Sequence, residues 1–289
     1  MSTPRYGEVR CLSRSGFHTM HYSEWGAADN PKVLLCVHGL TRVGDDFAHL
    51  AENLSDQYRV VCPDVVGRGR SDWLKDPMLY GLPQYAFDMA SLIARLNVDR
   101  VDYLGTSMGG LIGLSLAGQP NAPIGRLILN DIGPRLELDA LQRIGEYVGQ
   151  PKRFADLEQA IGYVRSISVG FGLRTPQQWR ELTEPAVRLD GSGWVFRYDP
   201  GIALSVKNPT AESNAAAEAK LWELYDAIRG PVLLVRGAES DLLSQGAAVE
   251  MTQRGPRAEL VEIAGVGHAP MFFDADQIAI VRRFLLGAT

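Results

Sequence analysis

The sequence predicts an α/β fold, in which a mostly parallel central sheet is flanked by helices. Two observations lead to this prediction. Short, wholly apolar runs that stop at Gly, Pro or Asn-Asp alternate with longer stretches whose apolar residues recur at helical spacing. This alternation repeats along much of the 289-residue chain. Repeated strand–helix units are joined by right-handed crossovers, which place helices on both faces of a parallel sheet.

The strands are predicted from short apolar runs. The length of Val33–Val37 (VLLCV) and its abrupt end at His38-Gly39 favour a strand over a piece of helix. The other predicted strands are 59–62, 101–104, 127–129, 232–235 and 260–263. Helices are predicted from apolar stripes over 47–54, 85–96 and 221–228, and from a pattern over about 277–286.

Residues 134–216 interrupt the alternation. Helical patterns around Leu141 and Leu157 are followed by a segment rich in Gly, Trp and Pro at 191–201 (GSGWVFRYDPG). We interpret this stretch as an insertion at the strand ends, forming a mainly helical lid over the site. The predicted core then comprises 1–133 and 217–289.

Composition narrows the function classes. With 46% hydrophobic and 22% charged residues the chain is typical of a globular enzyme, and its net charge of −5 argues against a nucleic-acid or anionic-membrane surface. The first ten residues lack the apolar core of a signal peptide. The three cysteines lack zinc-site spacing, and Cys36 and Cys62 lie in strand-like runs. We therefore expect a cytoplasmic protein that binds a small molecule, with no nucleic acid or membrane partner; the oligomeric state stays open.

Ser107 is the strongest candidate for chemistry. It lies in GTSMGG (105–110), which fits G-x-S-x-G between a predicted strand and a predicted helix. Flanking glycines give room for a strained turn that lifts the hydroxyl from the sheet. A Gly-rich turn with an incidental serine is the alternative.

A serine hydroxyl needs a base to take its proton. Of the five histidines, His268 lies in a loop (GVGHAP, 265–270) after the last predicted strand, where catalytic groups collect in open α/β sheets. We predict that His268 is the base. For the carboxylate that orients it we prefer Asp241, because it gives the chain order Ser–Asp–His. Asp131, at the end of another strand, and Glu239 remain alternatives.

Backbone N–H groups of Met108 and Leu40 are predicted to stabilise an oxyanion. Gly39 lets the Leu40 turn come close to the serine, and His38 is expected to brace it. Thr41 and Arg42 would then face the pocket, where Arg42 could bind a substrate carboxylate or brace the loop.

Two further features have both a structural and a functional interpretation. Trp179 stands for several aromatic residues of the segment 134–216 that could contact substrate or form its core. The run DVVGRGRSD (64–72) has a G-x-G spacing, but it lacks the third glycine of a dinucleotide loop. We predict that it is a turn bracing the site.

Together the motifs HGLT, DxxGxGxSD, GTSMGG, SD and GHAP resemble, in their order, the α/β-hydrolase fold superfamily, in its esterase-like branch with a lid. The resemblance implies hydrolysis through an acyl-serine intermediate without metal or organic cofactor. Dehalogenases and epoxide hydrolases of this fold use an aspartate nucleophile, where this chain has Ser107. Carbon–carbon bond hydrolases usually have GNSMGG and a tryptophan after the histidine, where this chain has Thr106 and Ala269.

The sequence therefore predicts a carboxylic-ester hydrolase for small to medium uncharged esters. Carbon–carbon bond hydrolysis and acyl transfer are the enzymatic alternatives. A non-catalytic ligand receptor on the same fold is an alternative of another class, although such proteins often lose a catalytic residue.

Overall fold

The computed structural model describes residues 3–287. Its strands, in chain order, are β1 (Arg5–Ser13), β2 (Gly16–Trp25), β3 (Val33–Val37), β4 (Arg59–Pro63), β5 (Val101–Thr106), β6 (Ile124–Asn130), β7 (Arg153–Phe154), β8 (Val187–Asp190), β9 (Gly193–Phe196), β10 (Val232–Gly237) and β11 (Glu259–Ile263). Its α-helices are α1 (Ala48–Leu54), α2 (Leu82–Arg95), α3 (Met108–Ala117), α4 (Leu138–Tyr147), α5 (Leu157–Ile167), α6 (Pro176–Thr183), α7 (Ala211–Ala227), α8 (Gln245–Gln253) and α9 (Ala275–Leu286).

The central sheet has the strand order β1-β2-β4-β3-β5-β6-β10-β11. Strand β2 runs antiparallel to β1 and β4, and the remaining neighbours are parallel. The predicted mostly parallel sheet is confirmed, and each predicted strand and helix lies within or overlaps an observed one.

Both faces of the sheet are covered by helices, as the wholly apolar strands require. Successive side chains of a strand point to opposite faces. In β3, Leu35 accordingly packs in a core cluster with residues of α2 and α3, whereas Leu34 packs with residues of α1 and α9. Each buried leucine contributes roughly 1.5–3 kcal/mol relative to exposure.

Residues 134–216 contain α4, α5, α6 and a small antiparallel sheet of order β7-β9-β8. The small sheet was not predicted. The predicted lid boundary between Ala216 and Ala217 falls inside α7. That this segment acts as a lid stays a prediction.

The parallel strands bring their carboxyl ends to one edge of the sheet. His38, Ser107 and Asp131 directly follow strands β3, β5 and β6, and the loop after β11 contains His268. Four separate parts of the chain therefore meet at this edge.

Candidate active site

Ser107 occupies a strained turn between β5 and α3, with φ 52° and ψ −118°. A non-glycine residue in this region costs of order 1–3 kcal/mol. The turn has no room for a side chain two residues before or after the serine. A Cβ on Gly105 would lie 2.3 Å from the carbonyl carbon of Gly109, and one on Gly109 would lie 2.0 Å from Val37 O. The predicted strand–turn–helix setting of the serine is confirmed.

His268 lies between the serine and a buried carboxylate. Its Nε2 is 2.9 Å from Ser107 Oγ, and its Nδ1 is 2.7 Å from Asp131 Oδ2. The loop that carries the histidine is held by backbone bonds, since Gly267 N–H donates to Gly170 O at 2.7 Å. The expected pairing of Ser107 with His268 is therefore present.

The expectation that Asp241 orients His268 is wrong. Asp241 lies on the surface with half of its side chain exposed, in an ion pair with Arg143 of α4. Asp131 takes the expected place because β6 is the direct neighbour of β5 in the sheet, and a positive φ of 54° turns its backbone immediately after the strand. Strand β10 is one strand further from the serine. Adjacency in the sheet, rather than order along the chain, decides the partner.

Asp131 is fully buried and accepts three hydrogen bonds. Oδ1 accepts from Gly237 N–H at 2.8 Å, and Oδ2 accepts from Ser240 Oγ at 2.6 Å as well as from His268. Donors on every side suit a carboxylate. If His268 donates from Nδ1, the lone pair of Nε2 faces the serine hydroxyl. Ser240, next to the residue that sequence reasoning preferred, was missed as a member of this group.

The turn after β3 is braced by His38, as predicted. Val65 N–H donates to His38 Nε2 at 2.9 Å, so the proton of the neutral ring is on Nδ1, which donates to Gly39 O at 2.7 Å. Burial lowers the pKa of His38 to about 3, which keeps the ring neutral. In a trans peptide the C=O and N–H groups point in opposite directions. By holding Gly39 O, His38 therefore fixes the direction of the Leu40 N–H.

Met108 is the first residue of α3, and its N–H has no carbonyl partner within the helix. The turn after β3 lies against the serine turn, because a Cβ on Gly39 would be 3.8 Å from Ser107 Cβ. Leu40, Met108 and Ser107 line the same cavity.

Arg68 connects the turn after β3, at Leu40, with the start of α3, at Met108. It was not singled out from the sequence. Its fully buried guanidinium donates to Leu40 O from Nε at 2.9 Å and contacts Met108 Sδ from Nη2 at 3.5 Å. Nη1 donates to Val66 O and to Tyr85 Oη. Within residues 3–287 it has no carboxylate partner, so its donors are used on the loops after β3 and β4 and on helices α2 and α3. No sequence signal distinguishes such an arginine from a surface one.

The run 64–72 forms the predicted turn. Arg68 N–H donates to Val65 O, and Ser71 N–H donates to Arg68 O. Asp64 is buried inside the turn, where it accepts from Gly44 N–H and Arg70 N–H at 2.8 and 2.9 Å. Burial raises the pKa of Asp64, while these backbone donors lower it.

Ser107 opens onto a cavity of about 350 Å³ whose walls are mostly apolar. Thr41 and Arg42 lie at the wall, as expected. The Arg42 guanidinium, however, is held by Asp46, with Nε–Oδ2 and Nη2–Oδ1 distances of 2.8 and 2.6 Å, and it also donates to Leu182 O. Arg42 therefore braces the loop against α6.

Comparison with known proteins agrees with this geometry. Residues 32–275 match the family model of the α/β-hydrolase fold. The chain belongs to the α/β-hydrolase fold family. It is 52% identical over 291 residues to 3-hydroxybutyrate-oligomer hydrolase of Cupriavidus necator, covering 99% of each chain. An α/β hydrolase from Novosphingobium aromaticivorans superposes with a TM-score of 0.85 at 34% identity over 99% of each chain, and a protein from Rickettsia typhi with 0.89 at 29% over 100% of each.

One predicted substrate contact of this α/β hydrolase is wrong. Trp179 is buried in a cluster with Val164, Leu182 and Met271, and it does not line the cavity. Its large side chain packs α6 against α5 and against Met271, and so joins the segment 134–216 to the chain that follows His268.

A buried group of metal-ligand type lies elsewhere, where Cys11, His18 and Asp88 place their ligand atoms within 4.8 Å of one another. His18 Nε2 is 3.0 Å from Asp88 Oδ2. Burial and the nearby Asp88 raise the pKa of the Cys11 thiol to about 12, so the thiol stays protonated. We interpret the group as a hydrogen-bonded core cluster.

Across residues 3–287, no helix is both long and apolar enough to span a bilayer.

Proposed function

We propose that this α/β hydrolase cleaves carboxylic esters through an acyl-serine intermediate on Ser107. The observation that supports this best is the continuous hydrogen-bonded series from Ser107 Oγ through His268 to Asp131. A nucleophile bonded to a base, and a base bonded to a buried orienting carboxylate, is the arrangement that such chemistry requires.

In the first half-reaction, Ser107 Oγ attacks the ester carbonyl carbon while His268 Nε2 takes the hydroxyl proton. The negative charge that develops on the carbonyl oxygen is stabilised by the N–H groups of Leu40 and Met108, an effect of roughly 3–4 kcal/mol per donor. The tetrahedral intermediate then collapses. The bond to the leaving oxygen breaks, and His268 returns the proton to that oxygen, which releases an alcohol.

In the second half-reaction, water replaces the alcohol. His268 takes a proton from water as the water oxygen attacks the acyl carbon. The bond between the acyl carbon and Ser107 Oγ then breaks, and His268 returns the proton to the serine. The products are a carboxylic acid and free enzyme. Asp131 stabilises the imidazolium that forms in both halves and keeps its Nδ1 protonated.

We further propose that the substrates are short oligomers of 3-hydroxybutyrate or of a closely similar hydroxy acid. The support is the 52% identity, over nearly the whole of both chains, to a 3-hydroxybutyrate-oligomer hydrolase. A mostly apolar cavity of about 350 Å³ suits a chain of methyl-bearing ester units. Such an oligomer has a terminal carboxylate, which departs from the uncharged esters expected from the sequence.

The test is to incubate the enzyme with the 3-hydroxybutyrate dimer and trimer and with p-nitrophenyl butyrate, and to measure acid release. We expect turnover of all three, and loss of at least about 10³-fold in kcat for Ser107→Ala. Ser115→Ala is the matched control and should retain activity, because Ser115 lies on the same helix and its Oγ donates to Leu111 O rather than to a residue of the site.

A folded wild type that cleaves none of these esters would refute ester hydrolysis. Cleavage of the p-nitrophenyl ester alone would refute the oligomer as substrate. A dienone substrate and an added alcohol acceptor, run in parallel, separate carbon–carbon cleavage and acyl transfer.

A further inference from the structure

We propose that Arg143 binds the free carboxylate of the substrate, so that the enzyme recognises the acid end of a hydroxy-acid oligomer. This inference rests on the proposed function. Two arginines among residues 3–287 line the cavity that contains Ser107, namely Arg42 and Arg143. An anionic substrate in a mostly apolar cavity needs a cation, because an unpaired charge is costly to bury.

Arg42 does not meet this need. Asp46 neutralises its charge through two hydrogen bonds, and Nη2 of the same guanidinium also donates to Leu182 O. Both side chains of that pair are largely buried, with exposed fractions of 11% and 5%. A substrate carboxylate would have to break this pair and leave Asp46 buried without a partner, which is unfavourable.

Arg143 differs in each respect. It is paired with Asp241, and the exposed fractions of the two side chains are 54% and 51%. An ion pair so exposed contributes little to stability. A carboxylate arriving from the cavity can therefore take the place of Asp241 on the guanidinium, while Asp241 is released to water.

Tyr147 adds a second donor beside Arg143. It lies four residues further along α4, so the two side chains are on the same face of the helix, and both line the cavity. Burial raises the pKa of Tyr147 to about 12, although Arg143 opposes the shift. The phenol therefore remains a neutral O–H donor that does not repel an anion.

This arrangement assigns Asp241 a role unlike the one predicted from the sequence. Asp241 pairs with Arg143 when substrate is absent, and it competes with the substrate carboxylate for the guanidinium. Removing the arginine and removing its competitor should then have opposite effects on the binding of an acid.

The experiment compares the free acid of the 3-hydroxybutyrate dimer and trimer with their methyl esters, in which an uncharged group replaces the terminal carboxylate. Only cleavage of the ester bonds between hydroxybutyrate units is counted, because the terminal methyl ester is itself a bond that the enzyme could cleave. In Arg143→Gln we expect the ratio of kcat/KM for acid over methyl ester to fall about 10- to 100-fold, the effect of a charged hydrogen bond. In Asp241→Asn we expect the KM for the acid to fall. Arg180→Gln is the matched control, because Arg180 forms an exposed ion pair with Glu158 of the same segment but does not line the cavity.

An acid-to-ester ratio in Arg143→Gln equal to that of wild type would overturn the inference. A KM for the acid that is unchanged or raised in Asp241→Asn would also overturn it. If the ion pair were purely structural, replacing Arg143 and replacing Asp241 would have the same effect, because either change breaks the pair. If wild type cleaves neither acids nor methyl esters, the proposed function fails instead. If it cleaves methyl esters and acids alike in every variant, only the inference fails.

Discussion

Replacement of Asp131 by Asn tests which carboxylate serves His268. The substitution keeps the shape of the side chain but replaces one acceptor oxygen by an NH2 donor. Gly237 N–H can still donate to the remaining oxygen, so the amide faces Ser240 Oγ and His268 Nδ1. His268 Nδ1 must then accept, which moves the ring proton to Nε2. In that tautomer the ring cannot take a proton from Ser107.

The magnitude follows from this change of tautomer. Loss of the correct tautomer, with geometry kept, lowers kcat by about 10⁴-fold in a well-characterised serine protease. We expect 10³- to 10⁴-fold here, which corresponds to about 4–5.5 kcal/mol in the activation barrier. Unfolding free energy should fall by only about 1–3 kcal/mol, as for a buried hydrogen-bond partner that is replaced.

The assay is steady-state hydrolysis of p-nitrophenyl butyrate by Asp131→Asn and Asp241→Asn, with thermal unfolding to verify that both variants fold. Because Asp241 is exposed and bonded to Arg143, its replacement should lower kcat by less than about tenfold. A fall in kcat of about 10³-fold or more in Asp241→Asn, with Asp131→Asn still active, would show that Asp131 does not orient His268.

Two predictions concern the supports of the site. Gly109→Ala places a Cβ 2.0 Å from Val37 O, a backbone atom that cannot move aside, so we expect the unfolding free energy to fall by more than about 3 kcal/mol. Gly246→Ala is the control and should be tolerated, because nothing lies within 4 Å of its Cβ. Equal stabilities of the two variants in urea titrations would contradict this expectation. For His38, burial lowers the folded-state pKa from 6.5 to about 3, so the unfolded chain binds a proton that the folded chain lacks between these pH values. Stability should fall as pH is lowered through this window, by up to roughly 5 kcal/mol, and less in His38→Gln; parallel pH dependences of wild type and variant would exclude a neutral His38.

The fold could be predicted because its signals are local. Val33–Val37 is apolar throughout and therefore indicates a strand buried on both faces. Gly105 is demanded by a contact within its own turn, with the backbone of Gly109, whereas Gly109 is demanded by the backbone of the neighbouring strand β3 at Val37. The small sheet β7-β9-β8 was missed, since β7 has only two residues and β8 and β9 four each. Strands this short give no usable periodicity.

The site could be predicted only as far as each group depends on its own segment. Ser107 and His268 lie in distinctive loops and were identified. Asp131 and Asp241 both follow strands, and the choice between them depends on which strand lies beside β5, a long-range property. Arg68 was missed for the same reason, because its contacts with Leu40 and Met108 join parts of the chain 28 and 40 residues apart.

Every step proposed for this enzyme requires that His268 activates Ser107 as a nucleophile. Its most direct test is to treat the native enzyme with a fluorophosphonate, which reacts with activated serines, and to locate the label by peptide mass spectrometry. We expect one label per chain, on the peptide containing Ser107, and none on Ser107→Ala or on His268→Ala. An unlabelled native enzyme, or a label on another serine that persists in Ser107→Ala, would contradict it.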